Sequence, residues 1–291
     1  MDLSKRNLVV CDLDGSLLKD DQTISQFTTD TIKKYVSLGN KFCIATGRPI
    51  RAAMQYYNQL GLDTIMANLN GSILSNPSDK SFSLINLCYS REQVKYLLSN
   101  KSILKHVGCI FVETIEDTYL FTDQKNSYIR SEFLSKFHVS DTEVSNAQVN
   151  LKVLKMNQLD QLDKDINTIL LYLKDKNSID YISFKIKGIT NTLVVRSWSL
   201  PNDFKGTVIE IVSIFSNKGS AIKYLSTFYM VPLSQIYTFG DGENDLDMLT
   251  KSIGYAMKNS SYTVKLLTNK ITKKTNNEDG IAHEMKRIFH L

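Results

Sequence analysis

The stretch LVVCDLDGSLL, from Leu8 to Leu18, ends an apolar run with two carboxylates one residue apart. Leu8 to Cys11 reads as a buried strand, and Gly15 opens a turn. Side chains at i and i+2 of a strand point to the same side, which sets Asp12 and Asp14 close together. Like charges so placed repel, and burying either one is costly without a partner. A plainer reading exists, because Asp is common at strand ends and Asp-Gly favours turns. Three further places carry matching chemistry: ATGR with Thr46, Gly47 and Arg48, NKG with Lys218, and GDGEND with Asp241, Asn244 and Asp245. Asp12, Asp14, Asp241 and Asp245 form an acidic set that suits a hard cation with oxygen ligands, Mg²⁺ first. The Thr46 hydroxyl, the Gly47 amide, Lys218 and Asn244 are donors that suit an anion with several acceptor oxygens. A hard cation beside such donors fits phosphate. Thr-Gly and Gly-Asp-Gly are also ordinary turns, and a lone Lys is more often a surface residue. Their joint placement at strand ends carries the argument.

That placement depends on the elements. Leu8 to Cys11, Lys41 to Ala45 and Thr64 to Ala67 read as strands. Between them, Ser25 to Leu38 and Pro49 to Leu60 read as helices, with Ser25 as an N-cap, Pro49 at the second start, and Gly39 and Gly61 as stops. Strand, helix, strand, helix, strand implies parallel βαβ units. The C-terminal part repeats this alternation, with helices at Ala221 to Phe228, Leu246 to Thr250 and Gly280 to Phe289, and strands at Ile236 to Phe239 and Ile253 to Met257. In an open parallel sheet ligands bind beyond the carboxyl ends of the strands. The chemistry-bearing residues fall at those ends.

From about Phe82 to Val212 the pattern changes. Strand-like runs at Ile110 to Val112, Thr118 to Thr122, Asn150 to Leu154, Ile179 to Lys185 and Thr192 to Trp198 mix with helices expected at Arg91 to Leu98 and Asp160 to Leu173. This predicts an α+β insert, residues 83–212, in a Rossmann-like α/β core made of residues 1–82 and 213–291. The Lys, Asn and Thr-rich tract Asn269 to Asp279 is expected to be a surface loop.

Composition narrows the function classes. The 291 residues are 42% hydrophobic and 22% charged, enough for a real core. Net charge is +5, from 35 basic and 30 acidic residues with the signs interspersed. Lys270 to Lys274, the densest basic stretch, has no aromatic to stack on a base and reads as a solvated face, against nucleic-acid binding. No apolar run approaches membrane-spanning length, and the polar start, Met1 to Asn7, fits no signal peptide. Cys11, Cys43, Cys88 and Cys109 form no CxxC pair, and the first two sit in apolar runs. This favours a reducing cytoplasm over a disulfide framework. His106, His138, His283 and His290 are scattered, against a His-based metal site or a Ser-His-Asp triad.

DLDGSLL, TGR, NKG and GDGEND resemble the four motifs of the haloacid dehalogenase (HAD) superfamily of phosphohydrolases. An insert between the second and third motifs resembles the Cof-type subfamily with its C2B cap. NLNGSIL at Asn70 and Gly71, YAMKNSS at Tyr255 and NNEDGIA at Asn277 are smaller echoes. Ser16 stands where Thr is commoner, and NKG where SKG is frequent. The resemblance implies a HAD fold with an inserted α+β cap that selects substrate. It implies a Mg²⁺-dependent phosphatase of small phosphorylated metabolites, such as sugar phosphates, flavin-pathway phosphates or pyridoxal phosphate. Asp12 becomes the nucleophile, forming an aspartyl phosphate, and Asp14 the general acid and then base. Asp12, Asp241 and Asp14, the last through its backbone carbonyl, become the metal ligands. Asp245 acts through water or Lys218; Thr46, Gly47, Lys218 and Asn244 bind the phosphoryl group. Arg48 either faces the substrate or ties its loop to its neighbours. On this resemblance the carboxylate pair needs opposite protonation states at one pH, and closeness helps to split their pKa values.

Other readings remain on the sequence alone. One is a phosphomutase or dedicated sugar-phosphate phosphatase of the same superfamily. Another is a phospho-accepting signalling receiver, against which the long insert and the distance of Lys218 from Asp12 in sequence argue. A third is a metabolite-binding protein without turnover, against which the intact Asp12/Asp14 pair argues. In the insert, SFKIKG offers Lys185 and Lys187 as candidates to meet a substrate, although such a pair is more often a solvated strand face.

Overall fold

The computed structural model describes residues 6–123, 150–189, 193–199 and 207–291. The chain divides into two compact units, residues 1–85 with 216–291, and residues 86–215.

In the first unit, β1 (Leu8–Cys11), β2 (Lys41–Ile44), β12 (Ile236–Gly240), β13 (Ile253–Ala256) and β14 (Lys270–Ile271) form a wholly parallel sheet in the order β14-β13-β12-β1-β2. β1, β2, β12 and β13 read as largely apolar runs because both of their faces are covered, whereas the edge strand β14 is exposed. On one face Val9, Cys11, Phe42, Ile44 and Phe239 pack against α1 (Gln26–Ser37), α2 (Ile50–Leu60) and α9 (Gly280–Phe289). On the other, Leu8, Val10, Cys43 and Ala45 pack against α6 (Lys218–Tyr229) and α7 (Leu246–Lys251). Caps set the helix ends: the Ser25 side chain accepts from the Thr28 amide, and Gly61 turns left-handed after α2. Pro49 sits just before α2, in extended backbone.

The expected third parallel strand is different. β3 (Met66–Asn68) touches β2 through one parallel bridge, Ala45 to Ala67, and pairs antiparallel with β4 (Ile73–Ser75) in a small separate sheet that includes β5 (Ile85–Asn86). The tract expected to be a surface loop supplies β14, the sheet edge, and a buried Asn276.

The second unit is a six-stranded sheet. Its order is β10 (Leu193–Ser199), β11 (Thr207–Ser213), β9 (Thr168–Leu173), β6 (Val107–Glu113), β7 (Asp117–Thr122) and β8 (Asn150–Leu154). All neighbours are antiparallel except β7 and β8. Helices α3 (Arg91–Leu98), α4 (Lys101–Leu104) and α5 (Ile179–Ile189) contribute Leu97, Ile103 and Ile182 to a core with Ile110, Leu171 and Ile209. The α/β core with a separate sheet-bearing unit is the expected fold class.

Two elements of this unit correct the sequence reading. The helix expected over Asp160 to Leu173 is a short helical turn, Met156–Gln161, followed by β9. β9 is buried along its whole length between β6 and β11. A strand so placed is apolar at every position, and periodicity cannot separate it from a buried helix. The strand expected over Ile179 to Lys185 is α5. Ile179, Ile182, Ile186 and Ile189 recur at helical spacing and pack on the sheet. Lys185 and Lys187 therefore lie on a helix; the Lys185 Nζ sits 5.6 Å from the Tyr181 ring centre. Thr192 and His138 lie outside the described residues.

Candidate active site

β1 ends at Cys11, and the chain leaves it by a wide turn. The Leu17 amide donates to the Asp12 carbonyl at 3.2 Å and the Leu18 amide to the Leu13 carbonyl at 2.8 Å. Gly15 makes this turn possible. Its φ is +70°, and a Cβ there would overlap the Asp241 carboxylate. The Asn259 side chain donates to the Gly15 carbonyl at 2.7 Å, and Asn276 donates to the Leu18 carbonyl at 3.0 Å.

The turn separates the two carboxylates and gives each its own cation. Asp12, buried, accepts from the Lys218 Nζ at 2.5 Å. Asp14, half-exposed, is clamped by Arg48: Nε to Oδ2 is 2.8 Å and Nη2 to Oδ1 is 2.5 Å. The charges that press on Asp12 are those of Asp245 and Asp241. The strand ends before either residue, so the i, i+2 strand geometry expected for the pair is replaced by the turn.

Lys218 opens α6 and is fully buried. Its Nζ also donates to the Asp245 Oδ1 at 2.6 Å. Burial alone would lower its pKa, but Asp12 and Asp245 outweigh that and raise it. The other oxygen of Asp245 accepts from the Asp241 and Gly242 amides at 3.0 and 2.9 Å, which fixes the loop after β12. Asp241 accepts from the Ser16 hydroxyl at 3.2 Å.

Asp12, Asp241 and Asp245 each offer a carboxylate oxygen, and these lie within 4.8 Å of one another. Three carboxylates against one ammonium leave an excess of two negative charges, which a divalent cation would balance. Burial raises the pKa of Asp12, and burial with the nearby Asp245 charge pushes Asp241 up to about 6. The donor set, all hard oxygens, suits Mg²⁺ chemistry. The Asp14 side chain is held by Arg48, which leaves only its backbone carbonyl for the ligand role expected from the sequence, and Asp245 lies within the acid group beside Asp12 and Asp241.

Thr46 is buried at the end of β2, and its hydroxyl accepts from the Arg48 amide at 3.1 Å. Gly47 beside it is exposed. The Arg48 guanidinium also meets the Ala52 carbonyl, the Tyr56 hydroxyl and the Gln22 side chain. These contacts are the ones expected of the second role open to Arg48, a tie between its loop and its neighbours. Burial opposes its charge, but the Asp14 carboxylate more than compensates, and its pKa rises. Asn244 donates to the Asn70 side chain at 2.9 Å. Asn70, Asn259 and Asn276 hold these loops together and carry no role in the sequence reading; the echoes NLNG, KNSS and NNEDG were their signal.

A parallel α/β sheet with an acid-and-lysine cluster beyond its carboxyl ends is an arrangement suited to binding a phosphate ester. A sequence profile of the haloacid dehalogenase-like hydrolases matches residues 9–285. The chain belongs to that family, in its Cof-type branch, and is a phosphoric monoester hydrolase. It is 32% identical over 289 residues to the 5-amino-6-(5-phospho-D-ribitylamino)uracil phosphatase YitU of Bacillus subtilis, covering 99% of each chain. SMU.1108c of Streptococcus mutans shares the fold with a TM-score of 0.77 at 21% identity, over 99% of this chain and 100% of that one. BT4131, a HAD subclass IIB sugar phosphatase, does so with a TM-score of 0.74 at 20% identity, over 98% and 100%. Among the described residues no helix is long and apolar enough to cross a membrane.

A carboxyl whose pKa is raised in the folded state binds a proton more tightly there. The stability Asp241 contributes is therefore fully present below the ordinary carboxyl value of 3.8 and is lost as pH rises from there through about 6. In EDTA at about pH 8, Asp241→Asn should raise the thermal midpoint by a few degrees, and the gap should close on acidification. A lower midpoint for the variant at about pH 8 would contradict this electrostatic tension.

Proposed function

We propose that the protein is a Mg²⁺-dependent phosphatase of small phosphorylated metabolites that works through an aspartyl phosphate on Asp12. The observation that carries this is the Asp12 carboxylate held at 2.5 Å by a buried Lys218 inside an acid group short of two positive charges. Mg²⁺ bound by Asp12, Asp241 and Asp245, with the Asp14 main-chain oxygen as the further ligand implied by the resemblance, would neutralise charge on the phosphoryl oxygens. The chain's own residues do the rest. Lys218 occupies one oxygen of Asp12 and favours its charge against the effect of burial, leaving the other oxygen to attack phosphorus. Thr46, the Gly47 amide and Asn244 hold the phosphoryl oxygens.

Proton bookkeeping falls to Asp14. As a carboxylic acid it gives its proton to the leaving oxygen as the bond to phosphorus breaks. It is then a carboxylate, the form that Arg48 pairs with. In the second step it takes a proton from water as that water attacks the aspartyl phosphate. Inorganic phosphate leaves, Asp12 is a carboxylate again, and Asp14 is again an acid.

Similarity to the ribityl phosphate phosphatase over nearly the whole chain makes a phosphate ester on a ribityl side chain the first candidate substrate. Residues 83–212 are proposed to present the groups that meet the leaving group, because every candidate shares the phosphoryl end. The four free cysteines support a cytoplasmic location.

The direct test is phosphate release from 5-amino-6-(5-phospho-D-ribitylamino)uracil, hexose phosphates and pyridoxal phosphate. Turnover should vanish with EDTA, return with Mg²⁺, and show its highest kcat/KM on the ribityl ester. Full activity in EDTA would remove the metal from the reaction, and a better hexose phosphate would reassign the substrate. Asp14→Asn should cost about 10²–10⁴-fold in kcat/KM, which reports the first step, on an alkyl phosphate and far less in kcat/KM on p-nitrophenyl phosphate, whose leaving oxygen needs no proton. Equal losses on the two esters would take Asp14 out of the acid role. Exchanging residues 83–212 with those of a relative of different preference should move the preference with the insert. If it stays with the core, the insert does not select substrate.

A further inference from the structure

The link between β3 and β4 is buried and strained. Leu69, Asn70 and Gly71 all have positive φ, at +47°, +56° and +92°. For a bulky residue such as Leu69 this conformation is unfavourable and persists only where its surroundings impose it. Leu69 and Asn70 are 4% and 5% exposed.

This link touches three loops of the phosphoryl site. The Asn70 amide donates to the Thr46 carbonyl at 2.9 Å and the Leu69 amide to the Arg48 carbonyl at 3.1 Å. Gly71 lies against the Asn217 carbonyl, one residue before Lys218; a Cβ there would stand 2.8 Å from that oxygen. The Asn70 side chain faces the other two loops at once. Its Oδ1 accepts from Asn244 at 2.9 Å, and its amide group is 3.5–3.6 Å from where a Cβ on Gly47 would lie. The Thr46–Gly47 turn follows β2, and Asn244 follows β12. These strands are separated by β1, which carries Asp12. Pairing with β1 fixes the two strands but not the loops beyond their ends, which carry the two donor sets.

We propose that Asn70 is a positioning residue for the phosphoryl group: its side chain holds the Asn244 amide against the Thr46–Gly47 turn, so that donors from both sides of Asp12 keep one spacing. The inference rests on the assignment of Thr46, Gly47 and Asn244 to phosphate binding made above. A donor displaced by about 1 Å can cost up to about 100-fold in rate, which makes such a tie worth its strained backbone.

Asn70→Gly is the informative variant, because glycine takes a φ of +56° without strain and only the side chain is lost. It is compared with Asn244→Ala and the double variant. Each is assayed for kcat/KM on p-nitrophenyl phosphate, for inhibition by inorganic phosphate, and for thermal midpoint. Asn70→Gly and Asn244→Ala should each lose about 10- to 100-fold in kcat/KM, with weaker inhibition by phosphate. The double variant should be no worse than Asn244→Ala, and the midpoints should stay within a few degrees of the parent. If the two losses multiply, or if Asn70→Gly keeps both kcat/KM and phosphate inhibition, the positioning role is overturned. Should Asn70→Gly not fold, Asn70→Ser, too short to reach Asn244, gives the same comparison. Absence of phosphatase turnover in the parent enzyme would instead overturn the proposed function.

Discussion

The buried ammonium of Lys218 is the contact on which the rest of the site depends. A lysine with no exposure to solvent must be paired, and it meets Asp12 at 2.5 Å and Asp245 at 2.6 Å. Removing one partner of such a buried pair costs about 3–5 kcal/mol, because a charge is left uncompensated. That constraint ties together the end of β1, the start of α6 and the loop after β12, which are 206 and 27 residues apart along the chain. The loop after β12 follows, since the second oxygen of Asp245 captures the Asp241 and Gly242 amides. Asp241 is thereby brought so close to the Gly15 turn that no side chain fits there.

The same arrangement gives two nearby aspartates different surroundings, as the roles proposed for them require. Each has its own counterion, one buried and one in a half-exposed clamp. Lys218 favours the charge on Asp12, the state its proposed role as nucleophile needs. Arg48 pairs with the carboxylate of Asp14, the state its proposed role as acid leaves it in. The acid group as a whole stays over-charged: burial and mutual repulsion raise Asp12 and Asp241. A site left electrostatically unsatisfied by its own residues could be completed by a cation.

Much of this was legible in the sequence, for a local reason. Asp12, Thr46, Lys218 and Asp241 stand directly after or at the start of strongly patterned strands and helices, so the parallel-sheet rule alone collects them at one end. The parts that were not legible are those set by contacts distant in sequence. Asn70 meets Asn244 across 174 residues, and Asn259 meets the Gly15 carbonyl across 244. An asparagine in a Gly-rich turn gives no sign of which loop it will reach. The partner of Asp14 was equally hidden, because a guanidinium after a Thr-Gly turn can point either way. In the insert, Thr168–Leu173 is too uniformly apolar to show whether it is strand or helix, and the isoleucines of Ile179–Ile189 favour a strand by type but a helix by spacing.

The central claim is that Asp12 carries the phosphoryl group between two halves of the reaction. The enzyme, mixed with a phosphate ester and quenched in acid within the first turnover, would be digested and mapped by mass spectrometry. A phosphoryl adduct should appear on the peptide containing Asp12 and be absent from Asp12→Asn. Turnover with no adduct on any residue at any quench time, or an adduct on another side chain, would contradict it.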